Sequence, residues 1–285
     1  MRMRIAITAD LHWGISAQGD RCTQRLAQRV ARLNPDVLIL LGDTGVEEAL
    51  AECLAHFQPF RGVKLLVAGN HCIWSHARPA NSLKIYRELI PATAKKFGFH
   101  YLDEKPWLAP DHSLAIVGNM SWYDYSCAAP ALAEKYPGVE TMYRRKEFFN
   151  GQHNDGQYVR LGMTDAEFTQ YVLSHLKTHL DEMSQRAETL LAAIHHPPFS
   201  ELFYPMKTKS SDDELMWLAY TSNRAIAELL PRYPKLRYVF CGHTHAARAA
   251  TVGQIRAFNI GGNYDWKRLA VLKLPEDEVA FEVFR

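Results

Sequence analysis

Residues 3–9, 36–41 and 63–68 are near-continuous apolar runs. Each delivers the chain to a polar cluster: Asp10-Leu-His12, Gly42-Asp43 and Gly69-Asn70-His71. Runs this short and this uniformly apolar read as strands buried on both faces. Between the first two, Cys22, Leu26, Val30 and Leu33 recur at helical spacing, and Asn34-Pro35 stops that helix. A second helix is expected around residues 46–57. Alternation of strand and helix predicts parallel pairing, and in parallel sheets functional groups gather outside the carboxyl ends of the strands. The three clusters belong at that edge. In an extended chain Asp10 and His12, two positions apart, would turn a carboxylate and an imidazole to the same side.

Downstream the pattern continues with interruptions. Residues 78–96 read as a helix leading to a strand near 99–102, and a strand at 114–117 runs into Gly118-Asn119 and the aromatic stretch Trp122-Tyr123-Asp124-Tyr125. From 126 to 162 periodicity is lost, with Pro130, Pro137, the charge run Arg144-Arg145-Lys146 and a polar tract at 150–157. A stretch that long without elements inside a compact domain reads as a lid-like insertion, and the charge run reads as a solvated face. Thr164-Asp-Ala-Glu167 is a capping box opening a helix to about 186. On that helix His175 and His179 flank an apolar stripe of Val172, Leu176, Leu180 and Met183. Residues 190–194 form another strand, ending in His195-His196-Pro197-Pro198. A helix near 223–230 precedes a strand at 238–241 that ends in Gly242-His243-Thr244-His245. Short strands are expected at 255–258, 269–274 and 279–284.

No linker or repeat divides the 285 residues, so a single domain spanning 1–285 is expected. With 47% hydrophobic and 22% charged residues, the chain can bury a sizeable core. A net charge of +2 gives no electrostatic footprint for nucleic acid or an anionic membrane. No apolar run reaches the roughly 20 residues of a membrane span. Five cysteines without a Cys-x-x-Cys spacing, and a first strand that begins without a hydrophobic signal region, point to a cytoplasmic protein with reduced thiols.

The strand ends together offer Asp10, His12, Asp43, Asn70, His71, His195, His243 and His245: carboxylate, amide and imidazole groups suited to hard or borderline divalent ions. Asp10-x-His12, Gly42-Asp43, Gly69-Asn70-His71, His195-His-Pro-Pro and Gly242-His243-x-His245, in that order, resemble the calcineurin-like metallophosphoesterase superfamily. The resemblance spans residues 10–245. It implies a four-layer α/β/β/α metallophosphoesterase sandwich with two mixed sheets, and two divalent or trivalent metal ions (Mn, Fe, Zn, Ni or Co). One metal would be held by Asp10, His12, Asp43 and His245. The other would be held by Asp43, Asn70, His195 and His243, so that Asp43 bridges ions about 3.5–4 Å apart. The implied reaction is hydrolysis of a phosphomonoester, phosphodiester or pyrophosphate by metal-bound hydroxide, with His71 donating a hydrogen bond or proton to the leaving oxygen. The 126–162 insertion, expected to cap the cleft, favours a small-molecule substrate. His196 reads as structural.

The family usually carries an acidic residue directly after the Asn-His pair, and this chain has Cys72. His76 and Asp124 are the candidate partners for His71 in its place, and His76, Trp122, Tyr123 and Asp124 are expected around the substrate. Two rival readings belong to the same superfamily: a nuclease, disfavoured by the near-neutral charge, and a catalytically inactive interaction scaffold. Oligomeric state and metal identity are not encoded in these motifs.

Overall fold

In the computed structural model, which describes residues 2–77, 79–207 and 209–285, β1 (Met3–Thr8) sends Ile5 and Ile7 to one side and Ala6 to the other. That alternation recurs along the chain and divides the core into layers. The remaining strands are β2 (Val37–Leu41), β3 (Val63–Val67), β4 (His100–Tyr101), β5 (Trp107–Leu108), β6 (Leu114–Asn119), β7 (Glu147–Phe148), β8 (Gly151–Gln152), β9 (Thr189–Ile194), β10 (Leu236–Cys241), β11 (Arg248–Val252), β12 (Ile255–Asn259), β13 (Lys267–Leu274) and β14 (Glu278–Phe284). The helices are α1 (Ala17–Leu33), α2 (Glu48–Ala55), α3 (Ser82–Lys84), α4 (Ile90–Lys96), α5 (Pro130–Lys135), α6 (Val139–Arg145), α7 (Asn154–Tyr158), α8 (Asp165–Arg186), α9 (Asp212–Met216) and α10 (Arg224–Leu229). A π-helical turn, Ile85–Leu89, joins α3 to α4.

Two six-stranded sheets result, ordered β14-β13-β1-β2-β3-β4 and β11-β12-β10-β9-β6-β5. In the first, β1 to β4 are parallel, as the alternation of strand and helix requires, while β13 pairs antiparallel with β1. In the second, β6, β9, β10 and β12 are parallel, and β5 and β11 close the edges antiparallel. Both sheets are therefore mixed.

Between the sheets lies a core of Ile5, Ile7, Ile39, Leu65, Ile116, Leu191 and Phe240. The outer face of the first sheet packs on α1 and α2 through Leu38, Leu40, Leu26, Val30 and Leu54. The outer face of the second packs on α8 and α10 through Val117, Ala192, Leu176, Leu180 and Ile226. Each such aliphatic side chain contributes about 1.5–3 kcal/mol when fully withdrawn from water, so the central strands of the two sheets are held from both faces. The architecture is α/β/β/α. α8 starts at the expected capping box: Thr164 N–H donates to Glu167 (2.8 Å) and Glu167 N–H donates back to Thr164 Oγ1 (3.2 Å). His179 is buried and His175 exposed, at the margins of the apolar stripe.

Residues 126–162 differ from the expectation of a stretch without elements. They hold α5, α6, the β7–β8 hairpin and α7, and they bury Leu132, Val139, Tyr143, Val159 and Leu161 in the same apolar cluster that covers the outer face of the first sheet. Lys146 is not part of a solvated run either, since its ammonium pairs with Asp165 at 2.7 Å while Arg144 and Arg145 stay exposed. Among the described residues no helix is long and apolar enough to cross a membrane.

Candidate metal centre

Donors from both sheets meet where their strands end. Asp10 and His12 follow β1, Asp43 follows β2, Asn70 and His71 follow β3, His195 follows β9, and His243 and His245 follow β10. The backbone there is not extended. Asp10, His12, Asp43, His243 and His245 all have positive φ, between 44° and 71°. The expected meeting of Asp10 and His12 through strand alternation is thus replaced by a left-handed twist at each donor. Non-glycine residues adopt that region rarely, and it costs on the order of 1–3 kcal/mol each unless the surroundings hold it. Here the surroundings do: Asp10 N–H donates to Gly42 C=O (3.2 Å), His12 N–H to Asp43 C=O (2.7 Å), and His243 N–H to Asp10 Oδ1 (2.9 Å). Gly42, at φ 85°, lets the turn pass beneath His195, whose Nδ1 would lie 2.3 Å from any Cβ at that position.

Hydrogen bonds aim the lone pairs inward. His195 Nδ1 faces Leu41 C=O at 2.8 Å and so carries its proton there, which leaves Nε2 toward Asp43 Oδ2 (3.4 Å) and Asn70 Oδ1 (3.3 Å). His243 Nε2 donates to Tyr220 C=O (3.2 Å), turning Nδ1 toward Asn70 Oδ1 (3.2 Å). His12 Nε2 and His245 Nε2 stand 2.9 Å apart. Asp43 is held by His71 N–H on Oδ1 (2.9 Å), and its Oδ2 is 3.8 Å from His12 Nε2. Asp10 Oδ2 is buried with no hydrogen-bond partner.

Charge follows from this crowding. Burial drives the imidazoles toward neutrality, bringing His243 to about 3 and His245 to about 4 and holding His12 well below its usual value. Burial works against a proton on His195 as well, but Asp43 and Asp10 outweigh it and lift this pKa to about 9. Burial also opposes charge on Asp43, and His195 and His71 overcome it, so this carboxylate lies well below the usual range. Asp10, with burial dominant, is raised to about 7.

This donor set fits metal ions. The neutral imidazoles of His12, His243 and His245, an orphaned buried carboxylate oxygen on Asp10 and two facing Nε2 atoms are what a cation would satisfy. The triads Asp10–His12–His245 and Asp43–His195–His243 each bring one ligand atom per residue within 4.8 Å of one another, and Asn70 Oδ1 lies against the second. His12, Asp43 and His71 form a third such triad. Asp43 stands between the two ligand sets.

Above the donors opens a cavity of ≈ 390 Å³ whose walls include Trp74, His153, Tyr204, Met206, Trp217 and Tyr264. His71 lies in its lining, with its ring stacked on Trp74 at 3.6 Å. His76, Trp122, Tyr123 and Asp124 do not line it. Trp122 and Tyr123 are fully buried, because Trp122 Nε1 donates to Asp165 and Tyr123 OH to Asp155, both at 2.8 Å. His76 pairs with Glu47 at 3.3 Å and is largely exposed, and Asp124 accepts from Ser126 N–H at 3.0 Å. None of the four therefore meets this cavity, and neither His76 nor Asp124 touches His71 in place of an acid after it. His196, buried beside His243 with ring centroids 4.1 Å apart, donates from Nδ1 to Met120 C=O at 2.8 Å.

Several residues of the site escape sequence reasoning. Asp155 and His153 come from the segment whose pattern is lost, where only the polar tract hinted at them. Tyr264 packs its ring 4.6 Å from that of His12. Lys267, fully buried, donates to Asp10 C=O (3.2 Å) and to Asn263 C=O. A lysine opening an apolar strand was its only signal.

In sequence, no curated protein matches the chain. Several solved structures share the fold. The phosphopantetheinyl hydrolase from Mycobacterium tuberculosis superposes with a TM-score of 0.71 at 18% identity, over 92% of this chain and 89% of that one. A dimetal phosphatase from Danio rerio gives 0.57 at 14% identity, covering 99% of each chain. The anchor in the inner membrane complex of Plasmodium gives 0.53 at 12% identity, over 99% of this chain and 84% of that one. The profile of the calcineurin-like phosphoesterases matches residues 3–247, which takes in every donor described above, and the chain belongs to that family.

Proposed function

We propose that the protein is a dinuclear-metal phosphoesterase acting on a small molecule. The observation that carries this reading is the inward aim of the donors. The hydrogen bonds of His195 and His243 to main-chain carbonyls leave the second ring nitrogen of each facing Asn70 and, for His195, Asp43. Asp10, His12, Asp43 and His245 would hold one ion, and Asp43, Asn70, His195 and His243 the other. Two such ions, when bound, supply Lewis-acid activation of water and of the phosphoryl group.

The residues themselves position the rest. His71, in the cavity lining and stacked on Trp74, is placed to donate a hydrogen bond to the leaving oxygen. The aromatic walls formed by Trp74, Tyr204, Trp217 and Tyr264 suit a leaving group with a planar or apolar part, and they exclude water around it. His153 and Asn154 bring the 126–162 segment to the cavity, so this segment would act as a cap over the cleft. A volume near 390 Å³ matches a small molecule rather than a polymer. Two fold relatives act in this chemical range by name, one as a phosphopantetheinyl hydrolase and one as a dimetal phosphatase. The ester class is decided by offering aryl phosphomonoesters and aryl phosphodiesters side by side with Mn²⁺. Asp43→Asn is expected to abolish hydrolysis of whichever is cleaved, and full retained activity would sink the proposal.

A further inference from the structure

Asp155, on α7, is fully buried beneath the centre although it lies 85 residues from Asn70 in sequence. Its Oδ1 accepts from Asn70 Nδ2 (3.0 Å) and Trp74 Nε1 (2.6 Å), and its Oδ2 accepts from Tyr123 OH (2.8 Å). The Asp155 N–H donates to His153 Nδ1 at 3.2 Å, so that nitrogen carries no proton and adds no positive charge. A buried carboxylate with three donors on it is a fixed acceptor, since losing any of them would leave a buried charge short of partners.

The consequence falls on Asn70. Its amide oxygen and nitrogen are nearly the same size, so shape alone does not decide which way the group faces. The Asp155 carboxylate decides it. With Nδ2 committed there, Oδ1 must face the opposite way, where it lies 3.3 Å from His195 Nε2 and 3.2 Å from His243 Nδ1. A reversed amide would point donor hydrogens at the place where a cation needs a lone pair. The same Oδ1 of Asp155 also anchors Trp74, the ring on which His71 stacks with its plane tilted by 23°. Cys72 cannot do this work, because its buried thiol lies among the main-chain groups of Thr44, Gly45 and Gly69. We propose that Asp155 is the positioning residue of the metal centre: it sets the amide of Asn70 as an oxygen ligand and fixes Trp74 beneath His71. It would thus supply, from the 126–162 segment, the negative charge that the Asn-His pair lacks at its own next position. This inference rests on the dinuclear reading above.

The test measures metal binding directly. Protein stripped with a chelator is titrated with Mn²⁺, and the free ion is followed by its paramagnetic resonance signal. Wild-type protein is expected to take up two ions. Asp155→Ala is expected to bind one of them about 10–100-fold more weakly, the size of effect found for groups that orient a ligand, and the other unchanged. In an Asn70→Ala background, Asp155→Ala should cause no further loss, because residues acting through one another are not additive. Two tight ions in Asp155→Ala, or losses that simply add, would overturn the proposal. If that variant does not fold, a structure of the Mn²⁺-loaded wild-type protein decides the matter. Asn70 Oδ1 on the metal with Nδ2 on Asp155 supports the proposal, and a reversed amide or an Asp155 turned elsewhere overturns it. A wild-type protein that binds no pair of ions would instead refute the dinuclear reading itself, before any variant is compared.

Discussion

Gly69→Ala tests the centre without removing a single donor. Gly69 lies between β3 and Asn70, and a Cβ there would stand 2.2 Å from Asp43 Oδ1, 2.4 Å from Asp43 N and 2.8 Å from Asp43 Cγ. Ordinary van der Waals contact begins near 3.4 Å, so carboxylate and methyl must separate by about 1.2 Å. The carboxylate is not a free chain end that can swing aside, because His71 N–H holds its Oδ1 at 2.9 Å and its main chain accepts from His12. The displacement therefore falls on the proposed bridge between the two ions. A misplacement of about 1 Å can cost roughly 10²-fold in rate, or about 2.7 kcal/mol of transition-state stabilisation. Overpacking itself adds about 1–3 kcal/mol of lost stability. The assay is kcat/KM on an aryl phosphate at saturating Mn²⁺, with bound metal and Tm measured on the same preparation. Gly138→Ala serves as control. At φ 89° with no atom within 4 Å of its added Cβ, it should lose about 1–2 kcal/mol of stability through backbone strain and keep its activity. A folded Gly69→Ala protein with unchanged kcat/KM would refute the argument that Asp43 bridges a reactive centre.

His71→Gln should lower kcat by about 10²–10⁴-fold while both Mn²⁺ ions stay bound, and loss of an ion on metal analysis would make His71 a ligand instead. Chelation of a protein held at about 100 times the Kd for its metal should remove about 2.7 kcal/mol of stability per site, a fall in Tm of at least about 5 °C by calorimetry; an unmoved Tm argues against a loaded centre. His179, remote from the centre on α8, is held below its usual pKa by burial first and by His175 second. The folded state therefore binds fewer protons than the unfolded chain just below pH 6.5. The contribution is present above 6.5 and is lost as pH falls through the lowered value. Urea unfolding of chelated protein at a series of pH values should accordingly show His179→Leu losing less stability below pH 6.5 than the wild type, and equal slopes would refute it.

How much of the fold is legible in the sequence depends on which interactions are local. The runs 3–9, 36–41 and 63–68 announce themselves because a strand buried on both faces must be apolar throughout, and the donors stand at their ends in the order the family shares. β7 and β8, two residues each, are too short to carry a period, and β11 is an edge strand with an exposed arginine and alanines. The conformation of Asp10 and His12 is hidden as well. An Asp-x-His sequence is compatible with extended backbone, and the left-handed turn is imposed by Gly42 and Asp43 carbonyls from β2's end. Trp122 and Tyr123 resemble pocket walls by composition, yet their polar atoms find Asp165 and Asp155 in the interior. Asp155 cannot be found at all from its own neighbours, because its partners Asn70, Trp74 and Tyr123 come from two other stretches of chain.

The pairing of β1 with β13 gives the molecule a history as well as a shape. Met3 to Thr8 meet Leu274 to Leu269 residue for residue, so the strand that carries the first two donors waits through some 260 residues of synthesis for its second neighbour. Until then its hydrogen-bonding edge is open, the kind of edge that recruits foreign strands, and Lys267 is not yet there to hold the Asp10 carbonyl. A nascent chain that has emerged as far as residue 247 already owns all eight donors and still lacks the strand that seats two of them. A metal centre built on those donors would be complete only once β13 has joined the sheet.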